Sequence, residues 1–233
     1  NQAMNSGTTP LYMACQSGYV KAVIMLLTRK EIQINQAAND GATPLHTACE
    51  NGHVKVVNAL LARKEIQTNQ AMNDGATPLL VACEQGRVKV VNLLLAKEEI
   101  QINQADNNGE TPLFVACHDG HINVINVLLA RKDIQINQAD KYGATPLNIA
   151  CEYGHVKVVN ALLARKEIQI NQAMNSGTTP LYIACQYNHL KVVNALLARK
   201  EIQINQATNE GTTPLFIACQ KDRMKVVNAL LAR

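Results

Sequence analysis

Cysteine and histidine recur four residues apart in this chain, as Cys49 and His53, Cys117 and His121, Cys151 and His155, and Cys185 and His189. A thiolate beside an imidazole is the working pair of a cysteine hydrolase, and both side chains are zinc ligands. A second grouping, His118-Asp119-Gly120-His121, places two imidazoles and a carboxylate within four residues, a set able to hold a metal weakly. No further catalytic signature accompanies them: HExxH, GxSxG and a Gly-rich phosphate loop are all missing. What these residues do depends on the elements that carry them.

Those elements repeat. Thr-Pro-Leu begins at Thr9, Thr43, Thr77, Thr111, Thr145, Thr179 and Thr213, always 34 residues apart, and contains every proline of the chain. The seven cysteines, Cys15, Cys49, Cys83, Cys117, Cys151, Cys185 and Cys219, climb the same ladder. A fixed period of this size is the mark of a solenoid, in which each unit buries its apolar face only against its neighbours.

The second repeat defines the unit. Asn39-Asp40-Gly41 is turn chemistry. Thr43 is suited to cap a helix and Pro44 to open it, since the first helical position needs no N–H. Leu45, Ala48 and Cys49 then share a helical face. Gly52 ends the helix in a left-handed conformation. A second helix is expected from about His53 to Arg63, with Val54, Val57, Leu60 and Leu61 as its apolar stripe. Arg63 and Lys64 stand where a helix dipole favours cations. Ile66-Gln67-Thr68-Asn69 reads as a short extended stretch. The C-cap position runs Gly18, Gly52, Gly86, Gly120, Gly154, Asn188 and Asp222, and Asn and Asp are the other residues that most readily turn left-handed.

This framework answers the opening question. A catalytic dyad is needed once, whereas the Cys/His pair recurs with the fold. Stacked helices lie about 8–10 Å apart, whereas zinc ligands must come within about 2.0–2.3 Å of one ion. The same separation exceeds the roughly 7 Å limit between the Cα atoms of a disulfide, so the thiols are expected to stay reduced. Cysteine here is a small buried hydrophobe. His121 occupies a repeated position and Gly120 breaks the helix, which removes the metal reading of the local cluster. No catalytic residue, metal or cofactor is expected.

A 34-residue period also suits a tetratricopeptide array, but that pattern needs Trp and a proline after the second helix. Here proline opens the first helix and Trp is absent. The string Asp40-Gly41-Ala42-Thr43-Pro44-Leu45-His46, followed by Gly52-His53, resembles the ankyrin repeat. The resemblance covers essentially all 233 residues in seven units, each one residue longer than the usual ankyrin unit, with the extra residue placed in the Lys-Glu-Ile-Gln-Ile-Asn loop. It implies an all-α solenoid of helix-turn-helix units with β-hairpin-like loops, a single domain over 1–233. The first unit lacks a polar outer face and the last keeps the apolar Met224 and Val227 beside Lys221-Asp222-Arg223, so the chain reads as a segment of a longer array; residues 1–12 and 171–182 are identical, which suggests copying within the gene.

Composition narrows the function. Apolar residues make up 47% and aromatics 3%, enough for a core. No stretch approaches the roughly 18 apolar residues of a membrane span, and Asn1-Gln2-Ala3-Met4 carries no leader pattern. An odd number of cysteines favours a reducing compartment. The expectation is an intracellular protein, cytoplasmic ahead of nuclear, with a host-directed effector as the alternative.

Differences between repeats gather in the turn before Thr-Pro-Leu, at the residue after Leu, and just before the C-cap. In ankyrin arrays such positions line the concave groove, so the resemblance implies that they face a partner. They carry Asp40, Glu50, Asp74, Glu84, Asp106, Glu110, Asp119, Asp140 and Glu152, nine of the 18 acids, against one base, Lys141. The net charge of +4 therefore hides an acidic groove. The second helices carry the basic side, including Lys55, Arg63, Lys64, Arg131, Lys132, Arg165 and Lys166. Tyr142, Tyr153 and Tyr187 fall at variable groove positions, and tyrosine is enriched at binding centres. Tyr182, Phe114 and Phe216 are expected to pack under the loops, and Tyr19 stands where other repeats have His.

The sequence thus leads to a monomeric protein-interaction scaffold with a groove of roughly 50–60 Å. Its partner would be a protein or peptide with basic and apolar side chains. Two alternatives stay open: binding of nucleic acid or anionic membrane through the basic side, diluted by an acid after each Arg-Lys pair, and a regulatory spacer beside a catalytic or channel domain.

Overall fold

The computed structural model describes residues 4–233; Asn1, Gln2 and Ala3, where the leader reading and part of the twelve-residue identity fall, lie outside the described residues. Among the described residues there are fourteen helices and no strand. They come in pairs: α1 (Pro10–Gln16) and α2 (Val20–Leu27), α3 (Pro44–Glu50) and α4 (Val54–Leu61), α5 (Pro78–Glu84) and α6 (Val88–Leu95), and α7 (Pro112–His118) and α8 (Ile122–Leu129). The order continues with α9 (Pro146–Glu152) and α10 (Val156–Leu163), α11 (Pro180–Gln186) and α12 (Leu190–Leu197), and α13 (Pro214–Gln220) and α14 (Met224–Leu231). The chain divides into two compact units, one running to Pro112 and taking in Ala130–Ile134, the other comprising Leu113–Leu129 and Gln135–Arg233.

Each first helix begins as its sequence dictates. Proline takes the first turn, and Thr9, Thr77, Thr179 and Thr213 accept the N–H three residues on at 3.1–3.2 Å. The left-handed C-cap series holds throughout, from Gly18 at φ 69° to Asn188 at 63° and Asp222 at 53°. Glycine answers a second demand where the next repeat supplies a histidine. A Cβ on Gly154 would lie 2.5 Å from His189 Nδ1. Gly52 meets an arginine instead, with its Cβ position 3.0 Å from the Arg87 side chain.

In the first unit α1, α3 and α5 pack in succession, with α2, α4 and α6 behind them. In the second unit α9, α11 and α13 do the same in front of α8, α10, α12 and α14. Leu45, Ala48 and Cys49 are fully buried, as are Leu60, Leu94, Leu128, Leu162 and Leu196 on the second helices. The second-helix stripe differs from the expected one. It is Val56, Val57, Leu60 and Leu61 that are buried, while Val54 is only half-buried. Within the units a second helix such as α4 packs against its own first helix and against neighbouring second helices, so its seam is two residues wide. The helix is also shorter than expected, ending at Leu61 rather than Arg63.

The tips resemble hairpins without forming a ladder. Ala38 N–H donates to Ala42 O at 2.9 Å and Gly41 N–H to Ala38 O at 3.0 Å, a single closed turn. Within each unit a tip is joined to the one before it, as Asn73 N–H donates to Asp40 O at 2.9 Å and Asn209 N–H to Ser176 O at 3.0 Å. The Lys-Glu-Ile-Gln-Ile-Asn loop is held by its asparagine. Asn35 Nδ2 donates to Glu65 O at 2.7 Å, and its Oδ1 accepts from Gln67 N at 3.0 Å.

Three expected roles change. Arg63 does not serve its own helix; its guanidinium reaches the carbonyl of Leu27, the last residue of the preceding second helix. Phe216 is exposed, in contrast to Phe114 and Tyr182, because the seventh repeat has no neighbour above it within the chain. Cys219 is exposed for the same reason, whereas the other six cysteines are buried. Burial pushes the Cys15 and Cys185 thiols up to about 12, so they are inert as nucleophiles at neutral pH.

Candidate binding face

The variable positions stand at two places in each repeat: the tip before Thr-Pro-Leu and the C-terminal end of the first helix. In the first unit Asp40 and Asp74 are exposed at tips. Each has a local task as well, accepting from the backbone N–H two residues on, Ala42 and Ala76, at 2.9 Å. Glu110 is half-buried at a third tip, where Asp106 Oδ1 accepts its backbone N–H at 2.8 Å. Glu50 and Glu84 are exposed as the last residues of α3 and α5. A carboxylate at a helix C-terminus opposes the helix dipole. Folding alone gives no reason to place acids there.

A cation outside the sequence-based charge count lies in the same strip. Arg87 Nε donates to Glu50 O at 2.9 Å, which brings its guanidinium beside the end of α3. The acids of the first unit are therefore partly offset, and the count of one base among nine acids is too low. Arg87 occupies the position of the repeated histidine. His53 Nε2 pairs with Gln16 O at 3.0 Å, His155 with His118 O at 2.9 Å, and His189 with Glu152 O at 2.8 Å. His53, His155 and His189 of the Cys/His pairs thus close the first helix of the preceding repeat. The signal is present in the sequence: from the second repeat on, this position carries His or Arg, two side chains that both donate N–H.

The second unit gathers aromatic and acidic residues at its first-helix ends. Asp119 Oδ1 lies 2.6 Å from His118 Nδ1. His118 Nε2 lies 3.0 Å from the Tyr153 hydroxyl, and the two rings meet edge to face with centroids 4.5 Å apart. Tyr153 also stacks beside His155 at 6.1 Å. One repeat further on, the Tyr187 hydroxyl donates to Glu152 Oε1 at 3.4 Å and its ring stacks beside His189 at 6.4 Å. Partial burial, and then the Glu152 carboxylate, hold the Tyr187 phenol above its ordinary pKa. Both tyrosine rings stay exposed in spite of these contacts. Tyr142 stands elsewhere, at a tip, with the Lys141 ammonium 5.1 Å from its ring centre. Asp119, Glu152, Tyr153 and Tyr187 therefore form one cluster, and Tyr142 does not belong to it.

The opposite side of each repeat is occupied. Arg131 and Arg199 donate to Leu95 O and Leu163 O at 3.0 and 2.9 Å, and Arg165 reaches Leu129 O. Each of these guanidinium groups also meets the acid two residues on, Asp133, Glu201 or Glu167. Among the described residues no three His, Cys, Asp or Glu side chains converge, and no helix is long and apolar enough to cross a membrane.

Paired helices on a 34-residue period, with α1, α3, α7 and α9 each closed by a side chain of the next repeat, define a helical repeat protein of the interaction-scaffold class. The comparisons agree. The family model for ankyrin repeats in three copies matches residues 30–106, 98–173 and 168–233, and the single ankyrin repeat model matches residues 6–39. The chain belongs to the ankyrin repeat family. It is similar to the ankyrin repeat domain of human ASB11, at 28% identity over 97% of each chain with a TM-score of 0.81. No curated protein matches it. Ankyrin repeats mediate protein–protein interaction.

Proposed function

We propose that this chain is a non-catalytic scaffold whose tips and first-helix ends bind a protein partner, the seven repeats acting as one array. The observation that carries the reading is the cluster of Tyr153, Tyr187, Glu152, His118 and Asp119: exposed aromatic rings held by hydrogen bonds, at positions where the repeats differ most. Rings fixed before binding lose little entropy on contact, which is the advantage of a pre-organised surface. Acids placed against the helix dipole at Glu50, Glu84 and Glu152 favour lysine or arginine on the partner. Tyr142 is taken as a second apolar contact at the tips. Seven unpaired cysteines support an intracellular setting.

Selection of a random peptide display library against the folded chain tests this directly. The expected winners combine lysine or arginine with an aromatic or aliphatic anchor, and they lose binding as salt is raised. Enrichment of acidic peptides, or of none, would overturn the reading. The arginines on the other side are engaged by carbonyls and acids, which argues against a phosphate-binding role there.

A further inference from the structure

The side-chain hydrogens of the tyrosine cluster are all directed at other groups of the fold. The Asp119 carboxylate lies 2.6 Å from His118 Nδ1, so that nitrogen carries a proton. In the neutral imidazole Nε2 then accepts, and the Tyr153 O–H donates to it at 3.0 Å. The Tyr187 O–H donates to Glu152 Oε1 at 3.4 Å. His155 and His189 obey the same logic. Their Nε2 atoms lie 2.9 and 2.8 Å from the carbonyls of His118 and Glu152. A carbonyl only accepts, so Nε2 holds the proton and each neutral ring keeps a lone pair on Nδ1.

What the cluster can offer a partner is therefore of one kind. Both phenol oxygens keep their lone pairs. Asp119 and Glu152 each commit one carboxylate oxygen to these bonds, which leaves the other with its share of the charge. The two tyrosines are 48% and 47% exposed. They stand at equivalent places, just past the ends of α9 and α11, two helices that pack on each other. The fold does not require a phenol there, since the same place holds Asn51 in the second repeat and Gln85 in the third. The surface thus combines ring faces, negative charge and hydrogen-bond acceptors without donors.

One side chain answers all three. Serine, asparagine and glutamine bring acceptors of their own, which would meet acceptors. A lysine ammonium brings donors and charge as a strongly hydrated point. A guanidinium carries five N–H groups in a plane, so it can lie flat on a ring while its edge donates to oxygens on either side. We infer that the surface of Tyr153, Tyr187, Asp119 and Glu152 takes an arginine side chain of the partner, in preference to lysine. Its guanidinium lies against a tyrosine ring and donates to the phenol and carboxylate oxygens. This rests on the proposed partner face and names the side chain that the face selects.

Three acetylated and amidated tripeptides test it, Gly-Arg-Gly, Gly-Lys-Gly and Gly-citrulline-Gly. Each is titrated to about 10 mM at low, constant salt into the whole chain with carbon-13 tyrosine rings, read by NMR. The ring signals of Tyr153 and Tyr187 should move and saturate with the arginine peptide, while those of Tyr19 and Tyr142 stay still. The lysine peptide should bind at least about threefold more weakly. Citrulline, which keeps the shape without the charge, should give no saturable shift. Glu152→Gln puts an amide N–H where only acceptors stood, and should weaken arginine binding at least about threefold. Equal binding of the lysine and arginine peptides would overturn the inference but leave a cation-binding face intact. Movement of Tyr142 alone, or of no tyrosine, would overturn it as well. Library peptides that lack arginine and still shift Tyr153 and Tyr187 would sink it while upholding the partner face.

Discussion

The phenol of Tyr153 and the imidazole of His118 meet across 35 residues of sequence, oxygen to Nε2 at 3.0 Å, with their rings crossed edge to face. Each is the residue at, or next to, the end of a first helix, so the contact exists only because successive repeats stack. Edge-to-face aromatic pairs contribute about 0.5–1.5 kcal/mol beyond burial, and partial exposure places this one toward the lower end. A double-mutant cycle of His118→Ala and Tyr153→Ala, read by urea unfolding, should show coupling of at least about 0.5 kcal/mol. Zero coupling would mean that the rings are not held before a partner arrives.

His46 gives the first unit an acid-sensitive joint. Its Nδ1 accepts from Thr43 N at 3.1 Å, and its Nε2 lies 3.1 Å from Ala76 O in the next repeat, so the proton sits on Nε2. Burial pulls the imidazole pKa down to about 4 from its ordinary 6.5. The unfolded chain therefore binds the proton first as pH falls. The contribution is complete above about 6.5 and is lost as pH drops from there to about 4, up to about 3 kcal/mol in all. Urea midpoints across that window should fall for the parent. They should fall less for His46→Asn, which copies Asn148 of the fifth repeat, where Oδ1 takes the same N–H. Parallel slopes for the two proteins would remove His46 from the account.

The arginine caps separate two kinds of charge interaction. Arg165 reaches the backbone carbonyl of Leu129 and also pairs with the exposed Glu167. The carbonyl is fixed in the preceding repeat, whereas an exposed ion pair is screened by water. Arg165→Ala should cost about 1 kcal/mol, and Glu167→Gln no more than about 0.5 kcal/mol. Thermal or urea unfolding distinguishes them, and an equal cost for the two would show that the ion pair rather than the cap matters.

Stability should be modular. Leu60 and Leu162 are fully buried in the first and second unit respectively. Truncation of either to alanine should cost about 2–5 kcal/mol by opening a cavity. Hydrogen exchange should then quicken first in the altered repeat and its neighbours, because each repeat contacts only those beside it. Uniform loss of protection along the whole chain would contradict this.

Much of this was legible in the sequence because the repeats mark one another. Thr9 through Thr213 announce each first helix, and the substitution of Asn188 and Asp222 for glycine identified a left-handed position before any coordinates. Cys49 was readable as core because its pair with His53 recurs too often to be a catalytic site. What escaped lies in contacts made 36 or 37 residues away to main-chain carbonyls, which no residue letter marks. Arg63 looked like the cap of its own helix because the dipole argument is local; it caps the previous one. Arg87 was missing from the charge count because its backbone partner, Glu50 O, belongs to another repeat. Val56 rather than Val54 is buried because a helix with two packing neighbours buries a stripe wider than one amphipathic face. Of the proposed site, the tyrosines and acids could be picked out by their variation between repeats, but not the grouping of Tyr153 with His118 and of Tyr187 with Glu152, apart from Tyr142.

The central claim is that the exposed tips and first-helix ends of the later repeats hold a protein partner. Quantitative affinity capture from cell lysate tests it most directly, with the parent chain beside a variant carrying Tyr142→Ala, Tyr153→Ala and Tyr187→Ala. The account predicts that proteins retained specifically by the parent are lost with the variant, while the variant keeps the parent's helical circular dichroism. Retention of the same proteins by both chains would contradict it and move the binding surface elsewhere on the repeats.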